Sequence, residues 1–302
     1  MKSEIEQIKI ELRNIRRDLE GLKKRYNNNG CNEIKYMLRR RGYDCLRSNP
    51  KDGLILPRNF DSYTEDFFYD LLKKYSFRMF LRDVIKLRNS FKVEDLVAYC
   101  SEETVKNYIE ILLDRGILEG MDSFRYRLLS DSVVSFGDTL EWFIAKIFEK
   151  EFYSISSWGI NISNTQRGGD FDVISFVEGN FIYSEIKSSP PKHIEINEIS
   201  SFLDRIEDLQ PDLSIFFEDT ELRLSDKIVP MFQEELERRS KGYGKKRFSI
   251  RGFVEKGDNI FHINEKICII NSKPDVIRNL GFLLQYFLKN KNTINWIRET
   301  EC

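Results

Sequence analysis

Three side chains in a short, otherwise apolar stretch could together do hydrolytic chemistry. Asp172 stands in Gly168-Gly169-Asp170-Phe171-Asp172-Val173-Ile174, and Glu185 and Lys187 stand in Tyr183-Ser184-Glu185-Ile186-Lys187. Between them Gly179-Asn180 reads as the two-residue turn of a β-hairpin. With those residues as the turn, Asp172 faces Lys187 and Ile174 faces Glu185. Alternation then puts Glu185 on Asp172's face of the sheet, one diagonal away. One reading of this trio is a structural ion pair, Asp172–Lys187, on a solvated face. The run Phe181-Ile182-Tyr183-Ser184-Glu185-Ile186 is too apolar for a wet surface, however. Burying charge there is costly unless it is paired or bound to a metal. A hard divalent cation resolves the conflict, because oxygen ligands from Asp172 and Glu185, with the Ile186 carbonyl, suit Mg²⁺. Lys187 would then orient or help deprotonate a water, or offset charge building on a phosphate. Asp170 competes with Asp172 for the first carboxylate position, since alternation puts both on one face; the strand-forming Val173-Ile174 favours Asp172.

An aspartate followed thirteen residues later by Glu-x-Lys, across a hairpin and after a helix, resembles the core of the PD-(D/E)xK nuclease superfamily. Archaeal Holliday-junction resolvases and many restriction endonucleases share that core. The likeness covers residues 137–220 and lacks the proline of the family name. It implies an α/β, restriction-endonuclease-like αβββαβ fold with a mixed sheet. It also implies phosphodiester hydrolysis dependent on Mg²⁺ (or Mn²⁺), with Asp172, Glu185 and Lys187 catalytic and the two carboxylates holding the metal. The family often adds a glutamate on the preceding helix in a Gly-x-x-x-Glu context. Gly137-Asp138-Thr139-Leu140-Glu141 matches it, which makes Glu141 a further catalytic residue and metal ligand. Glu141 lies beside the apolar stripe Ile144, Ala145 and Phe148. DNA is the expected partner, and RNA fits the same core. Lys192 and His193, near the end of the active strand, are placed to touch phosphate; His193 reads more simply as a loop histidine than as a general base. Arg205 and Glu198 lie one helical face away from Ile199, Phe202, Leu203 and Ile206 and are supporting candidates.

The elements that must position these residues follow the order helix, three strands, helix, strand. The patterning predicts a helix over 137–152, strands over 154–163, 171–177 and 181–188, a helix over 194–209 and a strand over 213–218. A strand, crossover helix and strand imply a parallel pair inside a mixed sheet. A helix over 222–239, a hairpin within 248–270 and a last helix over 274–288 complete a nuclease-like domain spanning 131–302.

Upstream, residues 75–130 resemble a winged helix-turn-helix domain. Phe80, Leu81, Val84, Ile85 and Leu87 mark one helix and 93–99 a short second one. Ser101 caps a third, carrying Val105, Tyr108, Ile109, Leu112 and Leu113, and a hairpin follows around Met121-Asp122-Ser123. The third helix offers Glu102, Glu103 and Glu110, which phosphate would repel, so only Arg125 and Arg127 on the wing are placed for nucleic acid. Residues 30–74 read as a helical connector, with a helix over 32–47 and another opening near Ser62. Residues 1–29 read as a coiled-coil helix. Ile5, Ile8, Leu12, Ile15, Leu19, Leu22 and Tyr26 form a heptad seam, and Glu4, Glu11 and Asp18 would meet Lys9, Arg16 and Lys23 of a parallel partner. A homo-oligomer through residues 5–26 is expected; an amphipathic helix packed on its own domain is the alternative.

Composition narrows the class. The 302 residues carry 48 Lys and Arg against 49 Asp and Glu, so any nucleic-acid surface must be a local patch. With two histidines, five cysteines and no C-x-x-C, a zinc finger is excluded, and the odd cysteine count suits a reducing, intracellular setting. No apolar run long enough to span a membrane occurs, and the charged opening Met-Lys-Ser-Glu lacks a secretory signal. A soluble, cytoplasmic protein is expected. The alternatives to a nuclease are a catalytically inactive nucleic-acid-binding or regulatory protein that keeps the fold, and a scaffold assembled through the coiled coil.

Overall fold

The computed structural model describes residues 33–57, 60–240, 250–253 and 259–291, together with residues 11, 14, 15 and 18. Its helices are α1 (33–40), α2 (Ser62–Leu72), α3 (Tyr75–Lys86), α4 (Glu102–Asp114), α5 (Gly137–Glu151), α6 (Ile196–Leu209), α7 (Ile228–Ser240) and α8 (Val276–Lys291). Its strands are β1 (Cys45–Arg47), β2 (Leu118–Met121), β3 (Arg125–Leu128), β4 (Ile155–Ile162), β5 (Asp170–Val177), β6 (Asn180–Lys187), β7 (Leu213–Glu218), β8 (Ile250–Gly252), β9 (Ile260–Ile263) and β10 (Ile267–Asn271). All but β2 and β3 join one mixed sheet in the order β1-β4-β5-β6-β7-β10-β9-β8. The expected parallel pair is β6–β7, joined across α6, and β10 adds a second parallel neighbour to β7.

Two apolar layers flank this sheet. On one face, Leu140, Phe143, Ile144 and Ile147 of α5 and Leu280 and Leu283 of α8 pack on Val173, Ile182, Ile186 and Ile215. On the other, Ile34 and Leu38 of α1, Phe202 of α6 and Phe232 of α7 pack on Ile174, Tyr183 and Phe216. Phe202 is fully buried and meets the rings of Tyr183, Phe216 and Phe232 at centroid distances of 5.8, 5.4 and 6.0 Å. The α6 helix that supports the site is thereby pinned to β6 and β7 by aromatic packing. Residues 75–128 form a helix, a 3-10 turn (Val93–Leu96), the α4 helix capped by Ser101, and the β2–β3 hairpin. Their core residues Phe77, Phe80, Val105 and Leu112 belong to the same apolar cluster as α5 and α8. A buried ion pair reinforces that junction: Arg78 of α3 donates through Nε and Nη2 to Asp219, and through Nη2 to Ser272.

Three expectations need correction or bounding. The β5–β6 turn is Glu178-Gly179 rather than Gly179-Asn180. Both residues have positive φ (46° and 77°), which matches the right-handed twist of the strands, and Asn180 pairs with Val177. The register therefore moves by two residues, so that Ile174 faces Tyr183 and Val173 faces Ser184. The helix expected over 32–47 ends at residue 40, because Gly42 (φ 88°) turns the chain, and Cys45–Arg47 instead form β1 on the edge of β4. The heptad seam over 5–26 lies outside the described residues, apart from Glu11, Asn14, Ile15 and Asp18, which are helical and exposed. No described helix is long and apolar enough to cross a membrane.

Candidate active site

The sheet divides at one place. The β5–β6 pairing runs from Val177↔Asn180 to Val173↔Ser184 and then stops. Beyond that rung β5 stays with β4 as far as Asp170↔Asn161, and β6 stays with β7 as far as Lys187↔Glu218. The two halves part at the level of Asp172. There the Ile186 N–H donates to the Asp172 carboxylate at 2.6 Å, so a side chain spans the split.

Gly159 produces the same break in β4. It has φ of 53° and lies between the rungs Trp158↔Val173 and Ile160↔Phe171, opposite Asp172. On one side of this level Trp158 and Val173 pack toward α5; on the other, Ile160 and Phe171 pack toward α6. Both strands thus exchange faces here, which simple alternation does not foresee. The residue must be glycine: an added Cβ would lie 2.7 Å from the Pro50 ring and 3.8 Å from Glu141 Oε2. Pro50 belongs to a segment tied over β4 by Asn49, whose N–H donates to the Trp158 carbonyl and whose side chain accepts from the Trp158 N–H.

The acidic and basic groups interlock across the split. Glu185 is buried (2% exposed) and accepts from Lys187 Nζ at 2.9 Å, from Arg205 Nη1 at 3.0 and 2.8 Å, and from the Tyr183 hydroxyl. Burial works against its charge, but Lys187 and Arg205 outweigh it and hold its carboxyl below the ordinary value. Lys187 Nζ also meets Glu198 at 2.9 Å. Burial opposes the Lys187 charge, yet Glu185 and Asp172 keep its pKa above the usual lysine range, so it is an ammonium. Asp172 and Glu141 behave oppositely. Burial, then the charge of Glu185, pushes Asp172 well above the carboxylate range. Burial, then the charges of Asp172, Asp138, Glu185 and Asp170, does the same to Glu141. Asp170 is engaged elsewhere, accepting from Asn161 at 2.6 Å and from Arg47 at 2.8 Å.

The fold therefore brings Asp172, Glu185, Lys187 and Glu141 to one place, with Arg205 and Glu198 bonded to Glu185 and Lys187. Asp172, Glu141 and Glu185 are the carboxylates gathered here. Their donor type fits a hard cation, and so does the excess negative charge that raises two of them. Among the described residues no three His, Cys, Asp or Glu side chains stand at metal-ligand spacing, and Glu185 is taken up by cations of the chain itself. Lys192 and His193 lie exposed in the 3-10 turn Pro191–His193, beyond the end of β6. Arg125 and Arg127 are on β3, but Arg127 pairs with Glu119 and Arg125 folds onto Ser90. Sequence reasoning missed Tyr183, whose signal was available: it stands two residues before Glu185 and shares its face. It also missed Glu218, which faces Lys187 only through a parallel register that no local pattern specifies.

No protein-family model and no curated protein matches the chain. Solved structures similar to parts of it include two at low identity. One is Can2 from Sulfobacillus thermosulfidooxidans in complex with cyclic tetra-adenylate, at 14% identity and TM-score 0.43, covering 82% of this chain and 58% of that one. The other is protein VC1899 from Vibrio cholerae, at 13% identity and TM-score 0.39, covering 73% of this chain and 56% of that one. The chain thus spans a little over half the length of either. Likenesses of this size carry no functional argument, and the functional reading rests on the geometry of the split sheet.

Proposed function

We propose that the chain is a divalent-cation-dependent nuclease of the PD-(D/E)xK kind that hydrolyses phosphodiester bonds in DNA. The observation that supports this reading is the parting of β5 from β6 at Asp172, where Glu185 and Lys187 of β6 and Glu141 of α5 gather at a gap in the sheet. A mere structural ion pair would not require the ladder to open. Asp172, Glu141 and Glu185 are the residues that would hold Mg²⁺ or Mn²⁺, which when bound supplies positive charge to the phosphate and favours ionisation of a water. Lys187 is held as an ammonium by Glu185 and Glu198. Its task is therefore to donate hydrogen bonds to the water or to a phosphate oxygen and to offset charge there, not to act as the base. Water oxygen bonds to phosphorus as the bond to the leaving sugar oxygen breaks; the water's proton passes to solvent and the leaving oxygen takes one up.

The helix, 3-10 turn, helix and hairpin over 75–128 are read as a winged-helix-like domain. Its shared core with α5 and the acidic exposed residues of α4 favour a packing role over groove reading. The heptad seam over 5–26 is read as a dimerising coiled coil that would set two sites against two strands. A catalytically inactive nucleic-acid-binding protein is the second reading, favoured by one observation: Glu185 is already saturated by Arg205, Lys187 and Tyr183. Calorimetric titration of the full chain with Mn²⁺, paired with cleavage of plasmid, branched and single-stranded DNA and of RNA, separates the two. The nuclease reading expects binding that Asp172→Asn removes, together with cleavage that EDTA abolishes. Neither binding nor cleavage would leave the inactive reading standing.

A further inference from the structure

Glu185 has no lone pair left to offer. A carboxylate presents about four lone-pair directions, and each oxygen of Glu185 already accepts from two donors. Oε1 takes Lys187 Nζ at 2.9 Å and Arg205 Nη1 at 3.0 Å; Oε2 takes Arg205 Nη1 at 2.8 Å and the Tyr183 hydroxyl. The residue is buried. For Glu185 to bind a cation, Lys187 or Arg205 would have to give up its bond, and a charge stripped of its partner at a buried position is strongly unfavourable.

Asp172 and Glu141 are placed differently. Among the described residues, Asp172 accepts only from the Ile186 N–H, on Oδ2, which leaves Oδ1 open, and no group donates to Glu141. Both are half-buried and so keep surface that a small ion can reach. They are neighbours across the gap: Gly159 lies opposite Asp172 on β4, and a Cβ added to it would come within 3.8 Å of Glu141 Oε2. Behind burial, the charge acting most strongly on Glu141 is that of Asp172, ahead of Asp138 and Glu185. The nearby cations are committed elsewhere: Arg205 and Lys187 to Glu185, Lys187 also to Glu198, and Arg47 to Asp170. Two adjacent carboxylates are thus left without a salt-bridge partner among the described residues.

We infer that the divalent cation proposed above is held by two carboxylates, Asp172 and Glu141, and that Glu185 is not a ligand but a positioning residue that fixes Lys187 and Arg205. The inference rests on the nuclease reading and narrows its ligand set. It also accounts for the lack, among the described residues, of three such side chains at metal-ligand spacing. Mg²⁺ is commonly bound through one or two carboxylates, with waters and substrate phosphate oxygens completing its shell.

The test is calorimetric titration of the full chain with Mn²⁺, for wild type, Asp172→Asn, Glu141→Gln and the double variant Glu185→Gln/Arg205→Gln. The double variant removes the Glu185 carboxylate while keeping the local charge balanced, so that lost ligation is not confused with added repulsion. Asp172→Asn and Glu141→Gln are expected to weaken binding roughly tenfold or more, and the double variant by no more than about threefold. A second measurement needs only folded wild type. Separate NMR signals of the two Arg205 Nη groups, identified by their loss in Arg205→Lys, report rotation blocked by Glu185. They are expected to persist at saturating Mg²⁺ and to merge in Glu185→Gln. Weakening in the double variant as large as in Asp172→Asn, or Arg205 signals that merge in wild type on adding Mg²⁺, overturns the inference. So does wild-type affinity in Asp172→Asn or Glu141→Gln, or a folded wild type that binds no Mn²⁺. Binding that follows the expected pattern without cleavage refutes only the nuclease reading, and cleavage with a cation held through Glu185 refutes only this inference.

Discussion

Glu218 gives the sharpest test of the electrostatics around the site. Its carboxylate ends β7 directly across from Lys187, is fully buried, and has no hydrogen-bond partner on either oxygen among the described residues. Burial pushes its pKa from 4.5 up to about 8; Lys227 pulls against this, and Glu198 and Asp219 add to it. The folded state therefore holds the proton more tightly than the unfolded state does. Stability from this group is fully present below the unfolded value and is lost as pH rises through the folded one. At about 1.4 kcal/mol per pH unit, the span between the two values amounts to roughly 5 kcal/mol at the upper bound, before any relaxation of the site. Glu218→Gln keeps the shape and cannot ionise. Urea unfolding of the full chain in EDTA, at steps from about pH 5 to about pH 9, is expected to show wild type losing several kcal/mol relative to Glu218→Gln. Most of that loss should fall below pH 8. Parallel stability curves for the two proteins would refute the reasoning, because they would mean that Glu218 is ionised and paired in solution.

Other outcomes follow from individual contacts. Arg78→Met leaves Asp219 buried without its cation and is expected to cost roughly 3–5 kcal/mol in denaturant unfolding; adding Asp219→Leu should recover much of it. Gly159→Ala forces a Cβ against Pro50 at a left-handed backbone position, and a loss of roughly 1–3 kcal/mol by thermal melting is expected. An unchanged melting temperature would mean that the Asn49–Pro50 segment does not seat on β4. Removing residues 1–30 is expected to halve the mass measured by light scattering; an unchanged mass would take the heptad seam out of the account.

Much of the frame was legible in the sequence because burial imposes periodicity. The strand expected over 213–218 is β7 itself, and the helices expected over 137–152 and 194–209 end within two residues of α5 and α6. What escaped lies where a local rule was overridden. Gly179-Asn180 is the better turn by composition, but Glu178 takes the left-handed position instead, so Asn180 can pair with Val177 while its side chain donates to the Val177 and Glu178 carbonyls. The exchange of faces at Gly159 and Asp172 leaves no trace in apolar periodicity, since it arises from one backbone dihedral and a close approach by Pro50. β1 escaped because Cys45-Leu46-Arg47, three residues on the edge of a sheet, are too few to show an alternation. Within the candidate site, the closeness of Asp172 to the Glu185–Lys187 strand follows from the hairpin spacing. The capture of Glu185 by Arg205 does not, because which cation meets a buried carboxylate depends on tertiary packing.

The central claim is that the gap between β5 and β6 hydrolyses phosphodiesters with a divalent cation and the Lys187 ammonium. Its most direct measurement is the cleavage rate of a mixed DNA and RNA substrate panel by the full chain with Mn²⁺ or Mg²⁺, for wild type and for Lys187→Met. The account predicts cleavage by wild type that EDTA abolishes, and a loss of at least roughly a hundredfold in Lys187→Met, the scale of removing one group that stabilises developing charge. Equal rates for the two proteins, or no cleavage of any substrate by a folded wild type that binds Mn²⁺, would contradict it.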